Sequence, residues 1–119
     1  MLDDLDRSTQ VEPKEVFSSG AQRDVQTHKP RYDLIPPEPM RRLAELYRSG
    51  AEHYGDYNWA KGMPLTRILA SLMRHLYAAI AGKTDEDHWA AVAWNTFAIM
   101  HFQNTKWNDL YDWTPKEPK

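Results

Sequence analysis

The chain has 119 residues, 41% of them hydrophobic and 27% charged, and this length suits one globular domain rather than two. A net charge of −2 and a pI near 6.2 argue against a protein that binds duplex nucleic acid. There is no cysteine, which excludes disulfides, thiolate zinc sites and cysteine nucleophiles. No apolar run is long enough to span a membrane, and the start MLDDLDRSTQ is unlike a signal peptide, so we expect a cytoplasmic protein.

The N-terminal third predicts little regular structure. Residues 1–19 are polar and aperiodic, which predicts a flexible arm with a short helical piece around Lys14 to Phe17. Residues 20–39 are dense in proline and charge, so Tyr32 to Ile35 is expected to form only a short extended run. The basic residues of this segment either meet an anion or solvate a loop. They are Arg23, His28, Lys29 and Arg31.

The first predicted helix runs from about Pro39 to Tyr54 and ends at Gly55. A row of carboxylates at seven-residue spacing shares one flank of this helix, namely Glu38, Glu45 and Glu52. Such a row can hold a divalent cation, but the pattern alone favours a solvated flank that contains arginines. Gly50 costs the helix roughly 1 kcal/mol relative to alanine, which suggests the close approach of a neighbouring helix or a ligand.

The second predicted helix runs from about Pro64 to Ala81. His75 lies on its apolar side, where it is either a hydrogen-bonded core residue or a ligand. Arg74 shares a neighbouring face with Arg67 and can pair with the glutamates of the first helix or with phosphate.

The third predicted helix ends near Phe102 and is apolar nearly all round, which predicts the central, buried helix. Thr84 and Asp87 resemble a capping box at its start. His88 and Asn95 share one face with small alanines. Because buried polar groups need partners, this face indicates a hydrogen-bond network or a site.

These elements predict an all-α fold: a small bundle of three main helices with an extended Pro-rich N-terminal segment and a Trp-rich C-terminal tail. We place a single helical domain at 20–113 and a flexible tail at 114–119. Residues 107–113 are expected to pack against the body or a partner subunit. Five tryptophans and six tyrosines in so small a domain predict surfaces that another subunit buries, hence a homo-oligomer, a dimer or a tetramer.

Five blocks in order carry a family resemblance: SGAQRD, KPRYDLIPPE, LAELYRSGAEHYGDYNWAKG, RHLYAAIAG and DEDHWAAVAWN. Together they resemble the phage-associated N-terminal domain of dATP/dGTP diphosphohydrolases, which is related to the MazG-like all-α nucleotide pyrophosphohydrolases and includes MazZ-like enzymes. The resemblance covers roughly residues 18 to 103. It implies a helical nucleotide-binding domain that oligomerises, binds Mg²⁺ or Mn²⁺ through carboxylates and cleaves a purine dNTP to the monophosphate and pyrophosphate. A phage-encoded protein would act in the host cytoplasm.

The resemblance also implies site residues. The catalytic residues would be Glu52, Glu45 and Asp87, and the metal ligands would be Glu45, Glu52, Glu86 and Asp87. The substrate-binding residues would be Lys29, Arg31, Tyr54, Asn58, Trp59, Arg74, His75, His88 and Asn95. A slot beside Trp59 would stack and hydrogen-bond the purine.

The chain departs from the MazG-like pattern in its acidic residues. Those enzymes carry E-E-x-x-E on one helix and E-x-x-D on the next, whereas here the first helix reads RRLAEL and Glu86 lacks an aspartate three residues later. Two alternatives therefore stay open. One is a protein that binds and sequesters a nucleotide without hydrolysis; the other is a structural interaction module with a polar core network.

Overall fold

The computed structural model describes residues 13–113. The chain divides between Ile35 and Pro36 into two units. The first unit contains a small antiparallel hairpin of strands β1 (Lys14–Val16) and β2 (Gln22–Asp24). The helical piece expected around Lys14 to Phe17 is therefore wrong. The chain reverses after Phe17, whose N–H donates to the carbonyl of Ala21 at 2.9 Å, and this turn brings the two strands into register.

The extended run expected over Tyr32 to Ile35 is also wrong, because Tyr32–Leu34 forms one turn of 3₁₀ helix. The N–H of Leu34 donates to the carbonyl of Arg31 at 3.1 Å, and the Arg31 guanidinium binds the Asp33 carboxylate through two contacts of 2.8 and 2.7 Å. The local ion pair stabilises a turn in a segment whose prolines do not permit a longer element.

The second unit is helical, which confirms the predicted all-α bundle with three main helices. Its elements are α1 (Pro37–Tyr54), a 3₁₀ turn (Asn58–Lys61), α2 (Leu65–Ile80), α3 (His88–Thr105) and the short α4 (Trp107–Leu110). Within residues 13–113 no helix is both long and apolar enough to cross a membrane.

Local signals set the ends of the long helices. Helix α1 begins two residues before the predicted Pro39, with proline in its first turn, and ends at Gly55, whose φ of +92° suits glycine. The predicted capping box at the start of α3 is wrong. Asp87 is itself the N-cap and accepts from the N–H of Ala90 at 3.2 Å, so Thr84 lies outside the helix.

Helices α2 and α3 run antiparallel, and their facing side chains form successive pairs along the interface. Near the start of α3 these pairs are polar: His75 contacts His88, and Ser71 contacts Asn95. Further along they become apolar and form the core of Ile68, Ala98 and Phe102. The pair therefore has a polar end and an apolar end.

Helix α3 is central, as predicted, because it packs against both other long helices and carries six buried residues. Helix α1 lies along it in parallel, joined by the Arg42–Asp87 ion pair near one end and the Tyr47–Trp94 ring contact further on. Helix α3 is not buried all round, however, since Trp89 and Met100 are more than half exposed.

The segment after α3 folds back onto the bundle. Leu110 packs against the apolar core, and Asp112 accepts from the N–H and the hydroxyl of Thr66 at 2.9 and 2.7 Å. Thr66 lies in the first turn of α2, whose N-cap Pro64 supplies no capping side chain. Asp112 thus caps α2 from the far end of the chain.

Candidate functional site

A cavity of about 1080 Å³ opens beside the polar end of the α2–α3 pair. The C-terminal half of α1, the turn at residues 55–59 and the facing sides of α2 and α3 line it. All of these elements belong to the helical unit, so the cavity is formed within one unit.

One wall of the cavity is aromatic. Tyr47 of α1 contacts Trp59 edge-on, with ring centroids 6.1 Å apart, and contacts Trp94 of α3 at 5.9 Å. Burial raises the pKa of the Tyr47 phenol. A wall of this kind can stack a planar heterocycle.

Asn95 lines the same cavity with a polar group and is only 4% exposed. Its Nδ2 donates to the carbonyl of Ala91 at 2.8 Å and approaches the hydroxyl of Ser71 at 3.4 Å. Because a carbonyl only accepts, the contact with Ala91 fixes which amide atom is nitrogen. Among residues 13–113, no donor reaches the remaining Oδ1. A buried acceptor without a partner beside a cavity is a place for a ligand N–H.

Next to Asn95, a chain of three side chains crosses from α3 to α2. The Asp85 carboxylate lies 2.8 Å from Nε2 of His88, and Nδ1 of His88 lies 2.9 Å from Nδ1 of His75. The hydrogen bond to His88 holds the pKa of the Asp85 carboxyl below its usual value. His88 is buried and does not line the cavity, whereas His75 does.

Glu86 joins this pair of histidines. Ligating atoms of His75, Glu86 and His88 all lie within 4.8 Å of one another, and Glu86 itself is exposed at the edge of the cavity. Two imidazole nitrogens and one carboxylate oxygen form a donor set that can hold a divalent metal ion.

The other carboxylates expected to ligate a metal are engaged elsewhere. Glu45 and Glu52 do not line the cavity, and both bind Arg48, at 3.0 and 2.6 Å. Asp87 lines the cavity but caps α3 and accepts from Nε of Arg42 at 2.8 Å, an ion pair that lowers its pKa. The structure therefore brings only Glu86, of the four, together with other ligating groups.

The remaining predicted substrate-binding residues differ in whether they line the cavity. Tyr54, Asn58 and Trp59 line the cavity, whereas Arg74 is exposed and does not, and the substrate-binding roles of all four stay predictions. Lys29 and Arg31 belong to the first unit, and their roles stay predictions.

Sequence reasoning missed three residues at this site. They are Tyr47, Ser71 and Trp94. Ser71 stands one turn before His75 on α2, and that four-residue spacing is the signal that could have joined it to the site.

Comparison with known proteins identifies one family. The sequence model described as dATP/dGTP diphosphohydrolase, N-terminal, matches residues 19–110. No curated protein and no solved structure matches the chain significantly. The match spans most of the chain and agrees with the resemblance of the five sequence blocks. The chain therefore belongs to the family of dATP/dGTP diphosphohydrolase N-terminal domains.

Proposed function

We propose that this protein is a metal-dependent nucleoside triphosphate pyrophosphohydrolase that cleaves a purine dNTP to the dNMP and pyrophosphate. The observation that carries the proposal is a cavity, in a chain of this family, that is lined both by aromatic rings and by His75 and Glu86 of a cluster of nitrogen and oxygen donors. A purine nucleotide combines the same two chemistries, a flat base and a polyanionic tail.

The base fits the aromatic side of the cavity. Tyr47, Trp59 and Trp94 offer ring faces and edges, and each base–aromatic stack contributes about 1–3 kcal/mol. The free Oδ1 of Asn95 can accept a hydrogen bond from a ring or exocyclic N–H of the base. This pairing would orient the base and leave the phosphates toward the histidines.

The phosphates fit the polar side. Arg48 and His75 line the cavity and supply groups that can bind phosphate oxygens. A divalent cation, when bound, supplies charge neutralisation at the phosphates and a more acidic water molecule. Of the carboxylates expected to hold it, Glu86 has the necessary neighbours.

Product analysis tests the proposal. The purified chain is incubated with dGTP or dATP, with Mn²⁺ or with a chelator, and the products are separated by ion exchange. We expect monophosphate and pyrophosphate in equal amounts, both lost on chelation. Release of orthophosphate, or turnover that persists in chelator, would contradict the proposal.

A second candidate is a protein that binds the nucleotide without hydrolysing it. Glu45 and Glu52 bind Arg48 and do not themselves line the cavity, and this favours the second candidate because it leaves few carboxylates at the site. Retention of dGTP on the protein with no product in the same assay would select it. If millimolar nucleotide fails to raise the melting temperature, both candidates fail and the structural module remains.

A further inference from the structure

We infer that His75, Glu86 and His88 form a binding site for a transition-metal dication of the Mn²⁺ and Co²⁺ class, in preference to Mg²⁺. Its catalytic use rests on the proposed function, but the binding does not. Within residues 13–113, this is the one group of three acidic or histidine side chains whose ligating atoms come together.

The spacing of the two imidazoles matches a shared metal. The Nδ1 atoms of His75 and His88 lie 2.9 Å apart, so a single proton bridges them in the absence of an ion. Two neighbouring ligands of an octahedral ion with bonds of about 2.1 Å lie about 3.0 Å apart. In the hydrogen bond the two lone-pair directions lie along the line between the Nδ1 atoms, so a metal can replace the shared proton only after the His75 ring tilts to let both rings point at one ion.

Asp85 prepares His88 for this role. The Asp85 carboxylate accepts from Nε2 of His88 at 2.8 Å, which places a proton on Nε2, so in the neutral ring the lone pair is on Nδ1. A carboxylate behind a ligating histidine is a recurrent arrangement in metal sites, because it fixes the tautomer and raises the basicity of the ligand. His88 is only 7% exposed, so the ring cannot turn away easily.

Glu86 completes the set from the open side. It is exposed, so its side chain can rotate to bring a carboxylate oxygen from within 4.8 Å into bonding distance. Glu86 would thereby bind an ion that enters through the cavity. Water or phosphate oxygens in the cavity would occupy the remaining coordination positions.

The donor set determines the preferred ion. Mg²⁺ is a hard ion that prefers oxygen ligands and is reluctant to lose water, whereas imidazole suits first-row transition metals. Affinity at such a site is expected to rise from Mn²⁺ to Co²⁺ and to be at least tenfold lower for Mg²⁺. A site built from the four expected carboxylates would not favour Co²⁺ over Mg²⁺ in this way.

Isothermal titration of the full chain without nucleotide, with Mn²⁺, Co²⁺ and Mg²⁺, tests the inference. We expect one Co²⁺ per chain and the order Co²⁺, Mn²⁺, Mg²⁺ of decreasing affinity. The visible spectrum of bound Co²⁺ reports nitrogen ligation. Equal affinity for Mg²⁺ and Mn²⁺, or no binding of any of the three ions, would overturn it.

Paired variants locate the ion. Glu86→Gln should weaken Co²⁺ binding at least tenfold, whereas Glu52→Gln, which changes an exposed glutamate of α1 in the same way, should change it less than twofold. His88→Ala should abolish binding, and circular dichroism shows whether that variant is folded. His88 is buried, so His88→Ala can unfold the protein; in that case the comparison of Glu86→Gln with Glu52→Gln shows where the ion binds. Loss of binding in Glu52→Gln but not in Glu86→Gln would assign the metal to α1 instead.

The two proposals fail in different ways. If Co²⁺ binding depends on Glu86 but no nucleotide is cleaved, the metal site stands and the enzymatic function does not. If Glu86→Gln lowers neither metal affinity nor hydrolysis, the function stands and this metal site does not.

Discussion

At the scale of single residues, a substitution of Asn95 distinguishes a ligand-binding site from a structural hydrogen-bond network. Its amide is buried, and its Oδ1 accepts from no donor within residues 13–113, a cost of about 1–3 kcal/mol that a ligand N–H would relieve. We expect Asn95→Leu, which has a similar volume, to change the free energy of unfolding by less than about 1 kcal/mol but to weaken dGTP binding about tenfold or more. Urea titration and calorimetry measure the two quantities.

The control for this variant is Asn104→Leu, at an exposed position of the same helix outside the cavity lining. The reverse outcome, strong destabilisation with unchanged dGTP binding, would identify Asn95 as a structural residue.

Trp59 tests where the base lies. Its indole contacts Tyr47 and also His101, with ring centroids 5.0 Å apart in the second pair, so its position is well defined. Loss of one stack of about 1.4 kcal/mol predicts roughly tenfold weaker dGTP binding in Trp59→Leu. Trp113→Leu removes an indole that does not line the cavity and should leave the affinity unchanged. Equal effects of the two substitutions in calorimetry would argue against stacking at Trp59.

At the scale of the helix, Gly50 lowers the stability of α1 but leaves space in the cavity for a ligand. A Cβ built at Gly50 meets no atom within 4 Å, so close packing of a neighbouring helix does not explain this glycine, and the residue lines the cavity instead. We expect Gly50→Ala to raise the free energy of unfolding by about 1 kcal/mol and to weaken dGTP binding, because the added methyl group enters the cavity. Higher stability with unchanged affinity would show that the ligand does not approach Gly50.

The cap at the start of α2 predicts a pH dependence. Hydrogen bonds from Thr66 lower the pKa of Asp112, so the cap contributes full stability above the unfolded-state pKa, about 3.9. That contribution is lost as the pH falls through the lower, folded-state pKa. Asp112→Asn should therefore be less stable than the parent chain at neutral pH, and the difference in urea midpoint should shrink below about pH 4. A constant difference across the titration would contradict the role of the charged carboxylate.

At the scale of the whole molecule, the exposed apolar side chains bear on assembly. Tyr77 and Ile80 of α2 are 64% and 66% exposed, and Trp89 and Met100 of α3 are 54% and 57% exposed. Isolated apolar residues on a surface are ordinary, but several on adjacent helices are typical of an interface. The homo-oligomer stays a prediction: light scattering should give a mass above 13.9 kDa, and Tyr77→Glu should lower it. A monomer at micromolar concentration would contradict it.

The fold was more predictable than the site, for physical reasons. Helix ends depend on local residues that act through the backbone of their own segment, so Gly55 correctly predicted the end of α1, and the start at Pro37 lies only two residues before the predicted Pro39. The seven-residue spacing puts Glu45 and Glu52 on one flank, and Arg48 between them binds both, as in the solvated flank that was the alternative to a cation site. The meeting of His75 with His88 depends on the register between α2 and α3, which no local pattern specifies.

The division of the α2–α3 pair into a polar and an apolar end has a consequence for motion. Amide hydrogens around Phe102 lie over the close-packed core and should exchange with solvent only on global unfolding. Those around Ala91 border the cavity and should exchange through smaller openings. One helix would thus hold a permanently ordered half and a half that becomes rigid when its ligand arrives. Hydrogen exchange should then show ligand-dependent protection confined to the first two turns of α3.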